Sequence, residues 1–427
     1  MHDPETSADK KRSWKLATST VPAATMATGR SERLHALDAV RAGALMLGVL
    51  FHSSLSFMVP AIWLIPDRST SPVMDSTYFI LHIFRMSVFF FIAGFFARLV
   101  LHRRGVRGFV RNRSKRILLP LFVFWPVIMV TTVLAQEWWG IKTVGHGPKA
   151  PPMTVNNFPL TDLWFLYVLV FFYLGLLAVR GLAGLVDRSG AGRARLIDPV
   201  VGFVVRRHLT PVALGIPLFA VFMLTPSWEP WYGVEPTENG LIPNAPAVVT
   251  YAVAFIFGYL MHRQPDLLKE WERRCLATLG LAVALTVVLM VIVGVDPTSA
   301  TWPADGKKIG YAALYALAIW VWGVALVGLG MRYLSKPNPR IRYLSDASYW
   351  IYVMQLPVVM FLEAALGQLA VPWYVKYPFI VVVTFAVLLF LYRYLVRYTW
   401  IGAMMNGRRT RPAKQPVGET PVAALAE

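Results

Sequence analysis

Asp38, Arg41 and His52 lie within RLHALDAVRAGALMLGVLFHSSLSF, a stretch starting at Arg33 whose second half reads as a membrane span. At 100° per residue, Asp38, Arg41, Gly48 and His52 fall within about 80° of arc, so one helical face carries all four. Along the axis Arg41 and His52 stand about 16 Å apart. Ionisable groups at such depth are costly and as a rule face a cavity or a polar pathway. An imidazole titrates near neutrality and can take a proton from a hydroxyl; a guanidinium binds phosphate and carboxylate oxygens in a two-pronged fashion. Asp38 lies about 20 Å from His52 on the same rise, too far to orient it, and is expected to pair with Arg41 or to cap the helix start. A purely structural account would have Arg41 reach the headgroups and His52 bond a neighbouring helix; the shared stripe argues against it.

A second apolar run, YFILHIFRMSVFFFIAGFFARLV, places His82 and Arg85 three residues apart and so on one face. In the basic stretch HRRGVRGFVRNRSKRILLP, Arg113 and Arg116 are again three apart, at the mouth of the next run. Two guanidinium forks there suit a phosphate-rich ligand, although Arg-x-x-Arg alone is a weak motif.

The elements that would hold these groups are apolar helices. Of 427 residues, 56% are hydrophobic and 15% charged, against about 25% charged in soluble domains. The apolar residues come in runs of about 20, the length that crosses a bilayer core. Ten spans are expected, at about 37–58, 76–99, 117–136, 160–180, 209–226, 246–262, 276–294, 309–331, 347–366 and 377–396; the fifth is interrupted by Pro217 and ended by Pro226. The fold class is therefore all-α, a polytopic membrane protein with about ten transmembrane helices. A disordered basic tail over 1–32, a membrane domain over 33–400 and a flexible tail over 401–427 complete the organisation. The small-residue stretch VPAATMA precedes the first apolar run instead of following it, the wrong order for a cleaved signal peptide.

With both termini in the cytoplasm, about 34 of the 42 Lys and Arg residues fall on that side, as the positive-inside rule requires. The net charge of +19 thus reflects topology, and no basic stripe with interleaved aromatics points to nucleic acid. The single cysteine, Cys275, excludes an intrachain disulfide, and no histidine spacing suggests a metal site. No internal repeat of the inverted-transporter kind is visible.

Taken together, these features make the chain resemble the membrane acyltransferase-3 family. An arginine and a histidine separated by ten residues in the first span, and a cytoplasmic Arg-x-x-Arg, stand here as Arg41…His52 and Arg113…Arg116. FRMSVFFFIAGFF (84–96), RNRSKRILLPL, DLWFLYVLVFFYL (162–174) and YLSDASYWIYVMQLPVV (343–359) follow in the family's order, and the likeness covers about 33–400. The subgroup it looks most like is the glucan biosynthesis protein C type, which succinylates periplasmic glucans. One departure stands in the ninth span, where many members carry a histidine and this chain has Gln355.

The resemblance implies transfer of a succinyl or acetyl group from cytosolic acyl-coenzyme A to a carbohydrate hydroxyl outside a bacterial inner membrane. His52 would be the base and Arg113, Arg116 and Arg41 the donor's anchors, with Arg85 or His82 stabilising the oxyanion. Asp162, Trp164 and Gln355 would lie on the acceptor side. A transporter or flippase using the same charged path without acyl chemistry is the alternative.

Overall fold

The computed structural model describes residues 23–148, 152–187 and 191–407. Among them the chain is almost entirely helical, with one isolated bridge between Pro159 and Asn239 and no strand. Residues 1–22 of the expected tail lie outside the described residues, as does the second tail from 408; helix α1 (Ala23–Leu55) starts ten residues before the expected boundary at 33.

Thirteen helices follow one another among the described residues. After α1 come α2 (Pro72–Arg113), α3 (Leu119–Val144), α4 (Trp164–Val186), α5 (Ala191–Arg206), α6 (Thr210–Leu224) and α7 (Ala245–Met261). Then come α8 (Leu268–Arg273), α9 (Cys275–Val293), α10 (Gly306–Tyr333), α11 (Pro339–Leu366), α12 (Trp373–Leu391) and α13 (Trp400–Asn406). By length and composition seven segments can cross a membrane, or up to nine if two bent helix pairs each count as one span. One pair is Ala194–Arg206 with Thr210–Leu224, bent by 107°, and the other Ala245–Met261 with Pro265–Arg273, bent by 110°. The fifth expected span is therefore half of a broken element: α6 runs unbroken through Pro217 for only 15 residues, about 22 Å at helical rise.

The core is built around α1, which packs against α2, α10, α11 and α12. Helices α2 and α7 touch through reciprocal glycines. A Cβ on Gly94 would overlap the Phe255 carbonyl oxygen, and one on Gly258 would overlap that of Phe91. Small residues of this kind let backbones close together where lipid supplies no hydrophobic drive between helices. In α2 the helix breaks at Gly105, whose φ of +63° is open to glycine at no steric cost. A π-turn, Ser114–Leu118, joins α2 to α3.

Candidate active site

Helix α1 aligns the site. Four residues before His52 on the same face, Gly48 leaves room for two side chains of other helices. A Cβ there would stand 2.6 Å from Gln355 Nε2 and 3.3 Å from Arg85 Nη1. Thus α1, α2 and α11 bring His52, Arg85 and Gln355 to one place. Arg85 is held by its guanidinium lying over the Phe51 ring at 4.0 Å, a cation–π contact that fixes position without neutralising charge. Phe51 in turn meets the His52 ring edge-on, with centroids 5.2 Å apart.

This face is buried yet polar. His52 is 6% exposed, Arg85 4%, Asp162 2% and Gln355 0%. His52 Nδ1, Arg85 Nε and Nη1, both amide atoms of Gln355 and both carboxylate oxygens of Asp162 have no hydrogen-bond partner within the protein. A buried polar atom left unpaired costs about 1–3 kcal/mol, so these seven, two of them on the Arg85 guanidinium itself, mark a surface suited to a polar occupant. Asp162 sits in a 3-10 turn (Thr161–Leu163) ahead of α4, and its backbone carbonyl accepts the Tyr352 hydroxyl at 3.0 Å. The Arg85 charge acts on His52, His82, Asp162, Glu238, Tyr251 and Tyr352.

Two expected site residues have other duties. His82 Nε2 bonds the Val234 carbonyl oxygen at 2.8 Å, and its ring stacks on Tyr78 at 5.2 Å; it pins the loop between α6 and α7 to α2. Trp164 is buried and packs its ring against Phe90 and Tyr251, at 6.4 and 5.5 Å.

Residues that sequence reasoning missed come from loops and from α11. Glu238, in the loop between α6 and α7, reaches the Arg85 field; burial holds its carboxyl up at about 7 against the pull of Arg85. Beside His52, at 6.5 Å between ring centroids, lies Trp63 of the loop between α1 and α2, whose indole N–H donates to Glu363 Oε2 at 2.9 Å. Glu363 is 1% exposed and its other oxygen has no partner within the protein. It lies inside the expected span 347–366, so the rule that singled out His52 also applies to it. Nearby, Asp67 and Lys376 form a fully buried ion pair at 2.9 Å, which with the Arg68 N–H to Gly367 carbonyl bond (3.2 Å) locks the Trp63 loop.

The other end of α1 gathers arginines. Arg41 pairs with Asp38 at 3.1 Å. Arg113 donates to the Phe96 carbonyl at 3.2 Å and stands over Phe109 and Tyr173, while Arg116 donates to the Asn406 carbonyl at 3.0 Å. The π-turn after Arg113 sends the two forks to different anchors, yet the charges of Arg41, Arg113 and Arg116 all act on Tyr349.

The helical bundle thus sets a buried imidazole, guanidinium and amide on one face and arginines at one end. The chain belongs to the acyltransferase domain family (Acyl_transf_3), which matches residues 34–393. It is similar to the glucans biosynthesis proteins C of Salmonella paratyphi B, Salmonella dublin and Salmonella enteritidis PT4. To each it is 25% identical over 348 residues, covering 79% of this chain and 85% of the relative. No solved structure matches the chain.

Proposed function

We propose that this protein moves an acyl group, succinyl or acetyl, from cytosolic acyl-coenzyme A to a hydroxyl of an extracytoplasmic glycan. The observation that carries the reading is the arrangement along α1: an arginine-rich end for an anionic nucleotide, and about 16 Å away a buried polar face around His52. The name of the Salmonella relatives, glucans biosynthesis, favours a glucan as acceptor.

His52 Nδ1 takes the proton of the acceptor hydroxyl. The oxygen attacks the thioester carbonyl, the new C–O bond forms, and the C–S bond breaks to release coenzyme A, whose thiolate receives a proton. Arg85 Nε and Nη1 stabilise the oxyanion of the tetrahedral intermediate; His82 is engaged with Val234 and is the weaker candidate. Gln355, at the position where the family resemblance leads to a histidine, supplies hydrogen bonds without titrating. Asp162 and Glu238 receive acceptor hydroxyls, and the indole face of Trp63 borders the entry.

The reading includes ten spans with both termini in the cytoplasm of a bacterial inner membrane. Pro72–Val144, 73 residues long, would measure about 110 Å as a single rod, more than three bilayer cores. Dividing it at Gly105 and the following basic stretch gives two crossings and brings the larger count from nine to ten. Lys and Arg then concentrate inside.

The test is transfer of a labelled acyl group from succinyl- or acetyl-coenzyme A to a purified glucan fraction, in vesicles holding wild type or His52→Gln. Wild-type vesicles should release thiol and label the glucan, and the variant should do neither. Labelled thioester or glucan crossing the membrane unmodified, without thiol release, would replace the reading by transport.

A further inference from the structure

A polar cavity lies away from the His52 face. It has a volume of about 610 Å³ and is lined by Tyr343, Arg393, Tyr394, Arg397 and Tyr398. Tyr343 belongs to the first turns of α11, and the others follow α12, where the helix widens into a π-turn, Tyr392–Val396. Closed by the Arg397 N–H to the Tyr392 carbonyl at 2.8 Å, that turn puts Arg393 and Arg397 at the same cavity. Isolated π-turns of this kind recur at functional sites.

We propose that this cavity binds the phosphate of an anionic membrane lipid, with the acyl chains laid along α12. Three observations carry it. First, none of the lining residues is acidic. The guanidinium of Arg397 stands over Tyr343 and Tyr398, each at 5.2 Å, and that of Arg393 over Tyr394 at 5.5 Å. Such contacts orient the cation and leave its in-plane N–H groups for an oxyanion. Second, Arg397 Nε is buried with no partner within the protein. Third, the cavity opens beside a lipid-like surface: Val375, Phe379, Val382, Val387, Phe390 and Leu395 are exposed along one side of α12 and its extension. An arginine pair at the mouth of an apolar helix face, ringed by tyrosines, is the chemistry of a headgroup site at the membrane boundary.

The pocket lies at the same end of the bundle as Arg116. Helix α13 links the two, since Asn406 donates to the Asp346 carbonyl on α11 and accepts from Arg116. A bound lipid would thus brace the arginine-rich end without entering it.

The test uses the full chain in neutral phosphatidylcholine nanodiscs, titrated with phosphatidylglycerol or cardiolipin, with thermal stability as the readout. Separate arms add inorganic phosphate and glycerol phosphate. Wild type should be stabilised by the anionic lipids and not by the soluble phosphates. Arg393→Gln/Arg397→Gln should need about thirtyfold more anionic lipid for the same shift, as removal of two arginines at an anionic surface implies. Arg206→Gln/Arg207→Gln, a charge-matched change elsewhere, should respond as wild type. If the glutamine pair does not fold, Arg393→Lys/Arg397→Lys keeps the charge but loses the forks and should show a weakened response. Equal lipid responses in wild type and pocket variants overturn the proposal, and pocket-dependent stabilisation by soluble phosphate overturns its lipid source.

Discussion

Gly48 and Gln355, on helices α1 and α11, meet so closely that a single added carbon does not fit: a Cβ on Gly48 would stand 2.6 Å from the Gln355 amide nitrogen and 3.0 Å from its oxygen. Gly48→Ala should therefore push the Gln355 amide and the nearby Arg85 Nη1 off the His52 face. Alanine favours the helix by up to about 1 kcal/mol over glycine, which offsets the local crowding, so global stability should change by no more than about 1 kcal/mol. Acyl transfer should fall at least about tenfold from misplaced groups. Denaturation in detergent and a transfer assay on the same preparation separate the two effects.

Arg85 carries the oxyanion in the proposed step. Arg85→Gln should lower kcat by about 10²–10³, the range for loss of one such donor, and leave donor KM nearly unchanged. A rise in KM with kcat intact would assign Arg85 to substrate binding instead.

Glu238 predicts a pH dependence. Burial raises its carboxyl from an ordinary 4.5 to about 7 in the folded protein. Between those values the folded state holds a proton that the unfolded chain has lost, so stability falls as pH rises through this window and levels off above it. The full effect is up to about 3 kcal/mol at 1.36 kcal/mol per unit. Glu238→Gln should flatten this part of the stability profile, measured by thermal unfolding from pH 4.5 to 8.

The buried Asp67–Lys376 pair fixes the loop that presents Trp63. Lys376→Met strands a buried carboxylate and should cost about 3–5 kcal/mol, whereas Asp67→Leu/Lys376→Met should recover most of it. Chemical denaturation of the two variants checks the difference. If the single change is harmless, the pair does not hold the loop.

Much of this was legible in the sequence, because a bilayer leaves strong marks. Long apolar runs give the spans, and ionisable residues inside them, such as Arg41, His52 and Arg85, stand out against that background. Glu363 obeys the same rule, within the expected span 347–366. Other parts depend on contacts that leave no local trace. The role of His82 rests on a carbonyl 152 residues away, at Val234, and the approach of Glu238 to Arg85 rests on the folding of an irregular loop. Helix α5 carries Pro199 and several arginines, which hide its helical character in the sequence. Gly105 bears no local mark in the sequence of the positive φ that divides α2.

Donor binding at the arginine-rich end of α1 is the central claim, and the shift in thermal stability with coenzyme A and a series of acyl-coenzyme A esters tests it most directly. A ligand of the folded state raises apparent stability by mass action. Wild type should be stabilised by about 2.7 kcal/mol at a hundred times the dissociation constant, with a preference among the esters, and Arg113→Ala/Arg116→Ala should lose that response while His52→Gln keeps it. Absence of any shift with every ester in folded wild-type protein would contradict the account.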